Sequence, residues 1–181
     1  MEHKFSCVIN NIYIRPLNAY DIESLRKWRN MEENSAYLKR IAYIRQQEQL
    51  DWFNKYKRDN STIYFAIEEN KILNCLIGSA SLYNFCDGKA EFGKFLIGHK
   101  EAHGKKAGVN ALKAIIKVGF EQIGLSSIIL HCYKDNVSAL KVYREVGFSI
   151  EDEKYISGKC NYPDGIEYMM KIDRCELNNC I

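Results

Sequence analysis

The chain has 181 residues, of which 46% are hydrophobic and 12% aromatic, and this is enough for one full hydrophobic core. Its net charge is only +3, from 26 basic and 23 acidic side chains, whereas general nucleic-acid binders concentrate basic charge. No run of about 18 apolar residues occurs, so no transmembrane helix is expected. These properties predict a protein whose partners are neither nucleic acid nor membrane.

The N-terminus and the cysteines bear on the cellular compartment. The opening residues MEHKFSC lack the apolar segment of a secretion signal, so we expect a cytoplasmic protein. The seven cysteines are odd in number and show no C-x-x-C spacing, so we expect no metal site. Cys175 and Cys180 lie in a polar tail, where a reducing cytoplasm favours free thiols, although a disulfide or metal clip also fits their spacing.

We predict a single domain over residues 1–181, because the chain contains only two prolines and shows no repeat or linker. Its core spans about residues 8–172, and residues 173–181 form a polar tail. Alternation predicts a first strand at Val8–Ile14, ended by Arg15-Pro16. Asp21 is placed to cap a first helix, and Gln46–Tyr56 has the pattern of a second amphipathic helix.

The middle of the chain is typical of a β meander. Predicted strands are Thr62–Glu68, Ile72–Leu82 with a bulge or close approach at Gly78, and Lys89–Ile97 after an Asp87-Gly88 hairpin turn. Further on, the pattern predicts a helix, a strand, a second helix and strands at Ser149–Ser157 and Ile166–Ile172. This order predicts an α/β (α+β) fold with a mixed, mostly antiparallel central sheet and helices packed on it.

A glycine- and lysine-rich turn precedes the helix in the second half of the chain. It reads His103-Gly104-Lys105-Lys106-Ala107-Gly108, and the apolar stripe of the helix starts at Val109. Free N–H groups at a helix N-terminus attract phosphate, and the two lysines add positive charge. The spacing matches neither a P-loop nor a dinucleotide fingerprint. An ordinary glycine turn with solvated lysines fits these residues equally well.

A second signal follows the next strand. Asp135 or Asn136 is positioned to cap a helix on which Ala139, Val142, Tyr143 and Val146 share one face. Tyr143 is therefore directed inward, where its hydroxyl needs a partner. From the spacing alone, a core tyrosine bonded to a carbonyl is the simpler interpretation.

The run Asp135-Asn136, Ala139, Tyr143 and Gly147-Phe148 matches the D-N-x-x-A-x-x-x-Y-x-x-x-G-F pattern of the GNAT acetyltransferase superfamily. The chain most resembles the branch with RimJ/RimL-type ribosomal-protein N-acetyltransferases and amino-sugar N-acetyltransferases. The resemblance covers roughly residues 8–172 and includes Ile14-Arg15-Pro16-Leu17, Asp21 and Trp28-Arg29-Asn30. The turn departs from the family's Q/R-x-x-G-x-G/A pattern at His103 and Lys106.

The resemblance implies acetyl-CoA as co-substrate and a GNAT-like sheet whose central strands, Lys89–Ile97 and Ser127–Cys132, splay apart. The pantetheine arm then lies in the gap beside Leu96 and Ile97. The residues expected to bind the pyrophosphate are His103, Gly104, Lys105, Lys106, Ala107, Gly108 and Val109. Asn136 is expected to hold the cofactor arm or cap its helix, and Ser138 is a further candidate at the thiol end.

Acetyl transfer requires a neutral amine and a proton for the leaving thiolate. By resemblance, Tyr143 protonates the thiolate, and a strand carboxylate serves as base, often through water. Glu91 is the candidate base, although an ordinary solvent-facing strand carboxylate fits equally well. His131 flanks the cleft strand and is interpreted as a packed strand histidine.

The resemblance assigns acceptor choice to the N-terminal helices and the segment after them. The residues expected to bind the acceptor are Trp28, Arg29, Tyr37, Ser79 and Ser81. Aromatic and arginine side chains suit a nucleotide-linked amino sugar, and a protein N-terminal amine stays an equal alternative. A polyamine is less favoured, since no acidic cluster is visible. We expect a monomer or homodimer.

A competing interpretation is a binding module that holds acetyl-CoA or another nucleotide without chemistry. The altered turn at His103 and Lys106 favours this alternative. The intact Asn136 and Tyr143 favour an enzyme.

Overall fold

The computed structural model of the protein describes residues 3–34, 42–157 and 164–175. Within these ranges the chain forms eight strands and four α-helices. The strands are β1 Cys7–Ile9, β2 Ile12–Pro16, β3 Ile63–Glu69, β4 Cys75–Cys86, β5 Lys89–Ile97, β6 Ser127–Tyr133, β7 Ser149–Ile156 and β8 Gly165–Asp173. The helices are α1 Ile22–Asn30, α2 Gln46–Arg58, α3 Ala107–Lys117, continued by a π-helical turn at Val118–Ile123, and α4 Val137–Val146.

The strands form one sheet in the order β1-β2-β3-β4-β5-β6-β8-β7. Every neighbouring pair is antiparallel except β5 and β6, which run parallel. The predicted fold class, a mixed and mostly antiparallel sheet with helices on both faces, is therefore confirmed. None of the described helices is long and apolar enough to cross a membrane.

The predictions at the start of the chain need two corrections. The strand predicted at Val8–Ile14 is a hairpin, because Asn10 adopts a left-handed conformation with φ 57° and turns the chain between β1 and β2. Asp21 does precede α1, but its carboxylate does not cap that helix. It forms an ion pair with Arg15 at 2.7 Å and accepts the Asn18 amide.

The predicted meander is confirmed, but its second strand, β4, runs over Cys75–Cys86 rather than Ile72–Leu82. Strand β4 begins at Cys75 rather than Ile72, because the Glu69 carboxylate accepts the amides of residues 71–73 and holds a longer turn. These amides, with Asn11, hold the pKa of that carboxyl at about 2. The β4–β5 hairpin turns at Asp87 and Gly88, whose φ values are 48° and 73°. Two positive φ values in succession are typical of the predicted tight hairpin turn.

Helices cover both faces of the sheet. The larger core lies between the sheet and α3, where Phe65, Phe92 and Ile115 are buried. On the opposite face, α1 and α2 cover a smaller cluster that contains Leu17, Phe53, Tyr56, Tyr64 and Ala66. The apolar stripe predicted for α3 therefore packs as expected.

The two central strands separate partway along their length. Parallel pairing of β5 with β6 runs from Lys89 opposite Ser127 to Phe92 opposite Leu130. Beyond that point the described residues of β5 and β6 no longer pair with each other. Strand β5 nevertheless continues to Ile97 along β4. The splay implied by the resemblance is therefore confirmed, and the sheet opens a cleft near its middle.

Helix α3 starts from a strained residue. Lys106 adopts the left-handed conformation, with φ 57° and ψ 16°, where the family pattern has glycine. A left-handed residue that carries a Cβ costs about 1 kcal/mol or more relative to glycine. Lys106 also forms an ion pair with Glu145 at 2.9 Å. Because this ion pair is exposed, it is weak and offsets little of the cost of the left-handed conformation.

The strain at Lys106 can be measured with a matched pair of variants. Lys106→Gly and Lys106→Ala both remove the ammonium and its contact with Glu145, but only alanine keeps a Cβ. We expect the glycine variant to be more stable than the alanine variant by about 1 kcal/mol. Chemical denaturation of both variants tests this, and equal stabilities would show that the left-handed backbone is not strained there.

Candidate active site

A cleft of about 1200 Å³ opens where β5 and β6 separate. Helices α1 and α2 form one wall, strands β3 to β5 form the floor, and the end of β6 with the start of α4 forms the opposite wall. Seven of the predicted site residues line it, namely Arg29, Ser79, Glu91, Leu96, Asn136, Ser138 and Tyr143. Residues that lie far apart in sequence are thus brought together.

The glycine-lysine turn lies at the start of α3. The first backbone hydrogen bond of the helix is donated by the Asn110 amide to the Lys106 carbonyl, at 2.9 Å. Three amides precede this bond and have no acceptor carbonyl within the helix, namely those of Ala107, Gly108 and Val109. Gly104, at φ 76°, has open space where a Cβ would lie. This arrangement fits a bound pyrophosphate.

The side chains of the turn make contacts that the sequence did not predict. The ammonium of Lys106 pairs with Glu145 on α4 and is thereby directed to that helix. The His103 ring lies with Nε2 2.7 Å from the Ile97 carbonyl oxygen, and so joins the turn to the end of β5. His103 therefore braces the two segments expected to hold opposite ends of the cofactor arm.

The end of β5 offers a free backbone edge to the cleft. Ile97 pairs with Gly78 and Leu96 with Ser79, so β4 occupies one edge of the strand only. A Cβ on Gly78 would collide with the Leu96 carbonyl oxygen, which explains the glycine and confirms the predicted close approach. The other edge faces the gap left by β6, where an amide-containing arm can pair with it.

Asn136 caps helix α4. Its Oδ1 accepts the Ala139 amide at 3.2 Å and the Ser138 hydroxyl at 3.1 Å. Of the two roles suggested by the sequence, the structure shows the cap. Both residues also line the cleft, so the cap lies at its wall.

Tyr143 is directed inward and reaches the cleft from the face that carries α3 and α4. Its ring is only 8% exposed and packs against Phe92 and Phe148, with ring centroids 6.3 and 6.1 Å apart. Burial raises the pKa of the phenol, and the nearby Cys132 acts in the same direction. The phenol is therefore protonated at neutral pH, as a proton donor must be.

Glu91 faces the other side of the sheet. This orientation of Glu91 follows from its position beside Phe92, since successive strand residues point to opposite faces of the sheet. Its carboxylate accepts the Tyr83 hydroxyl at 2.6 Å and the Asn84 side-chain amide at 2.9 Å. Glu91 and Tyr143 thus approach the cleft from opposite faces.

A second polar group lines the same face of the cleft. Glu167 lies 3.2 Å from Lys154 and 3.3 Å from Nδ1 of His131. The ring nitrogen is close to the carboxylate but not aligned for a hydrogen bond. The His131 side chain lines the cleft and is not simply packed in the strand, which differs from the prediction.

The remaining predicted acceptor residues lie in three different environments. Trp28 is buried against Gly98, where a Cβ would collide with the indole, so it supports the end of β5 rather than lining the cleft. Ser81 is fully buried, and its hydroxyl donates to the Gly93 carbonyl at 3.2 Å. Tyr37 lies outside the described residues, as do residues 158–163 and Cys180.

Several cleft residues were not predicted from the sequence. They are Trp52, Tyr64, Tyr83, Lys94, Lys154 and Glu167. Tyr64 falls on a predicted strand that borders the cleft, so inward alternation can reveal it once the sheet order is known, whereas Tyr83 lies just beyond the predicted strand Ile72–Leu82. Lys94 cannot be found in this way, because its backbone departs from a regular strand.

Comparisons with known proteins agree with this geometry. The family model described as acetyltransferase (GNAT) domain matches residues 11–149. The chain is 31% identical over 137 residues to acetyltransferase PseH of Campylobacter jejuni, covering 76% of this chain and 82% of that protein. It is 27% identical over 144 residues to spermidine N(1)-acetyltransferase of Escherichia coli, covering 80% of this chain and 76% of that protein.

Two solved structures share the fold. Spermidine N-acetyltransferase from Vibrio cholerae, in complex with CoA and spermine, superposes with a TM-score of 0.82 at 24% identity, over 93% of this chain and 99% of that one. The apo form of FdhC, described as a nucleotide-linked sugar GNAT, superposes with a TM-score of 0.78 at 19% identity, over 97% of this chain and 94% of that one. With its split sheet and its matching domain, the chain belongs to the GNAT acetyltransferase family and is an acyl-CoA-dependent N-acetyltransferase that uses acetyl-CoA as co-substrate.

Proposed function

We propose that the amine acceptor is a nucleotide-linked amino sugar. The observation that carries this proposal is the composition of the acceptor side of the cleft, where aromatic rings and cations are combined. Trp52 and Tyr64 pack edge to face at 5.2 Å, and Arg29 and Lys94 line the same wall and floor. Rings offer stacking surfaces for a base, and cations offer partners for a diphosphate.

Among the described residues, two of the four carboxylates that line the cleft, Glu33 and Glu167, already pair with lysines, which leaves less unpaired negative charge for a polyamine acceptor. Polycations are bound by negatively charged carboxylates that are not already paired with another cation. The contacts are Glu33 with Lys100, Glu48 with the Arg45 amide, Glu91 with Tyr83 and Asn84, and Glu167 with Lys154. Glu48 and Glu91 accept from neutral donors and keep their negative charge, so only Glu33 and Glu167 are neutralised by these contacts.

The relatives support two acceptor classes. The likeness to spermidine acetyltransferases favours a polyamine, and the shared fold with a nucleotide-linked sugar GNAT favours an activated sugar. The protein N-terminal amine suggested by the sequence is a third candidate. We favour the sugar, because the cleft combines aromatic rings with the cations Arg29 and Lys94, which suit a base and a diphosphate.

In the proposed reaction, the amine approaches from the α1 and α2 face. Glu91, through water, accepts the proton that the attacking nitrogen loses as it bonds to the thioester carbonyl carbon. The bond between that carbon and sulfur then breaks, and Tyr143, from the other face, donates its proton to the departing thiolate. Leu96 and Ile97 align the pantetheine arm, and the amides of residues 104–109 hold the pyrophosphate.

The acceptor assignment predicts the outcome of a competition between amines. With acetyl-CoA saturating, we expect thiol release with UDP- and GDP-linked amino sugars at a kcat/KM at least about 100-fold above that with spermidine or an N-terminal peptide. Release of free CoA, followed with a thiol reagent, measures this. A higher kcat/KM for spermidine or the peptide would contradict the sugar assignment and leave the family assignment intact.

The acid role of Tyr143 predicts the effect of Tyr143→Phe. Because the ring and its packing against Phe92 are kept, we expect the affinity for acetyl-CoA to stay within about twofold while kcat falls at least tenfold. Steady-state kinetics and calorimetry with CoA separate the two quantities. Tyr133→Phe, on the neighbouring strand and also lining the cleft, is the matched control. An unchanged kcat in Tyr143→Phe would remove Tyr143 from the acid role.

The base role of Glu91 predicts a change in the pH dependence. In Glu91→Gln the group that titrates is lost but the side chain can still bond to Tyr83, so we expect the acid limb of the kcat/KM profile to flatten. Glu153→Gln, on an exposed part of β7, is the control. A profile with the same acid limb as the unmodified enzyme would show that another group accepts the proton.

A further inference from the structure

We propose that Lys94 is the phosphate anchor of the acceptor site and the residue that makes the enzyme prefer nucleotide-linked over free amino sugars. This inference rests on the proposed function and names the side chain that recognises the activated substrate. It is carried by the position of the ammonium, by its lack of a carboxylate partner and by the rings that surround it.

Lys94 lies on a bulge that directs its side chain. Ser79 pairs with Leu96 and Ser81 with Gly93, so Lys94 and Phe95 together face a single residue of β4. Lys94 has φ 51°, in the left-handed region that disfavours residues with a Cβ. Bulges commonly reorient a side chain beside an active site. Here the bulge occurs in β5 just after its last pair with β6, at the mouth of the split.

The ammonium of Lys94 is held between two aromatic rings. Its Nζ lies 4.8 Å from the ring centroid of Tyr64 and 4.8 Å from that of Tyr83. Although the residue as a whole is exposed, this packing partly desolvates the ammonium and lowers its pKa, against the opposing charges of Asp59 and Glu91. Cation–π contacts fix its position without consuming its N–H donors.

Lys94 differs from the other lysine of the cleft in having no acidic partner. Within the described ranges, no carboxylate forms an ion pair with it. Lys154, in contrast, is paired with Glu167 at 3.2 Å. A partly desolvated ammonium that forms no ion pair with its acidic neighbours Asp59 and Glu91 is stabilised further by a ligand that brings negative charge. A phosphate group supplies that charge, and a free amino sugar or a polyamine does not.

The neighbours of Lys94 suit the rest of such a ligand. Tyr64 contacts Trp52 on α2, so the ammonium lies at the border of an aromatic cluster that can stack on a nucleobase. The Tyr83 hydroxyl donates a hydrogen bond to Glu91, and the Tyr83 ring contacts the Lys94 ammonium. Tyr83 therefore positions both the proposed base and the proposed anchor. A phosphate at Lys94 thus places the sugar between the aromatic cluster and the split in the sheet.

The test compares two acceptors that differ only in the nucleotide. In Lys94→Gln we expect kcat/KM for the nucleotide-linked amino sugar to fall by about tenfold to a hundredfold, mainly through KM, while kcat/KM for the free amino sugar stays unchanged. Lys94→Arg is expected to retain most of the activity, because its charge and donors remain. Lys89→Gln, on the same strand but outside the cleft, is the control.

The outcomes separate the anchor from other roles. An equal loss with both acceptors, through kcat, would show that Lys94 serves the chemistry and would overturn the anchor assignment. A Lys94→Gln enzyme with unchanged kinetics on both acceptors would overturn it as well, and circular dichroism would show whether a variant is folded.

A binding measurement keeps this inference separate from the acceptor assignment. With CoA saturating, so that its own site is filled, UDP, GDP and CDP are titrated by calorimetry into the unmodified enzyme and Lys94→Gln. Binding that weakens at least tenfold in the variant supports the anchor even if no nucleotide-linked sugar is acetylated. Equal binding in both enzymes, or none in either, would overturn it.

Discussion

The loss of pairing between β5 and β6 is the constraint on which the active site depends. The strands form a regular parallel pair up to Phe92 and Leu130, and then each continues with a different partner. An unpaired backbone edge inside a protein is costly unless something bonds to it. The gap therefore calls for a ligand with amide groups of its own, and pantetheine has them. The fold thus specifies the co-substrate more strongly than it specifies the acceptor.

Two of the described lysines adopt the left-handed conformation, Lys94 on β5 at this gap and Lys106 before α3. Glycine would adopt either conformation at lower cost. The strain at Lys106 is accompanied by an exposed contact with Glu145, which contributes little. The strain at Lys94 is accompanied by a position between two rings inside the cleft. The strained backbone of Lys94, with its side chain in the cleft, is therefore consistent with the anchoring role that we propose for it.

Most of the fold could be predicted from the sequence, because it follows from local patterns. Alternation located the strands, and the apolar stripe that starts at Val109 located α3. The errors arose where a polar side chain changed the local geometry. Asn10 split the first strand, and the Glu69 carboxylate delayed β4. Of the residues named from the family motifs, Asn136 lines the cleft, whereas Trp28 is packed, as is Ser81, because which face of an element is covered depends on tertiary contacts.

The position of Glu91 and Tyr143 on opposite faces explains why the split is useful for acetyl transfer. Glu91 is next to Phe92 in β5, and Phe92 contacts the Tyr143 ring, so the two groups are separated by little more than the thickness of the sheet. In the reaction that we propose, an amine that enters on one face loses its proton to Glu91, and the thiolate gains a proton from Tyr143 on the other. With the reacting carbonyl placed between the faces, neither group would have to move between the two proposed proton transfers, and the paired part of the sheet up to Phe92 and Leu130 keeps them apart.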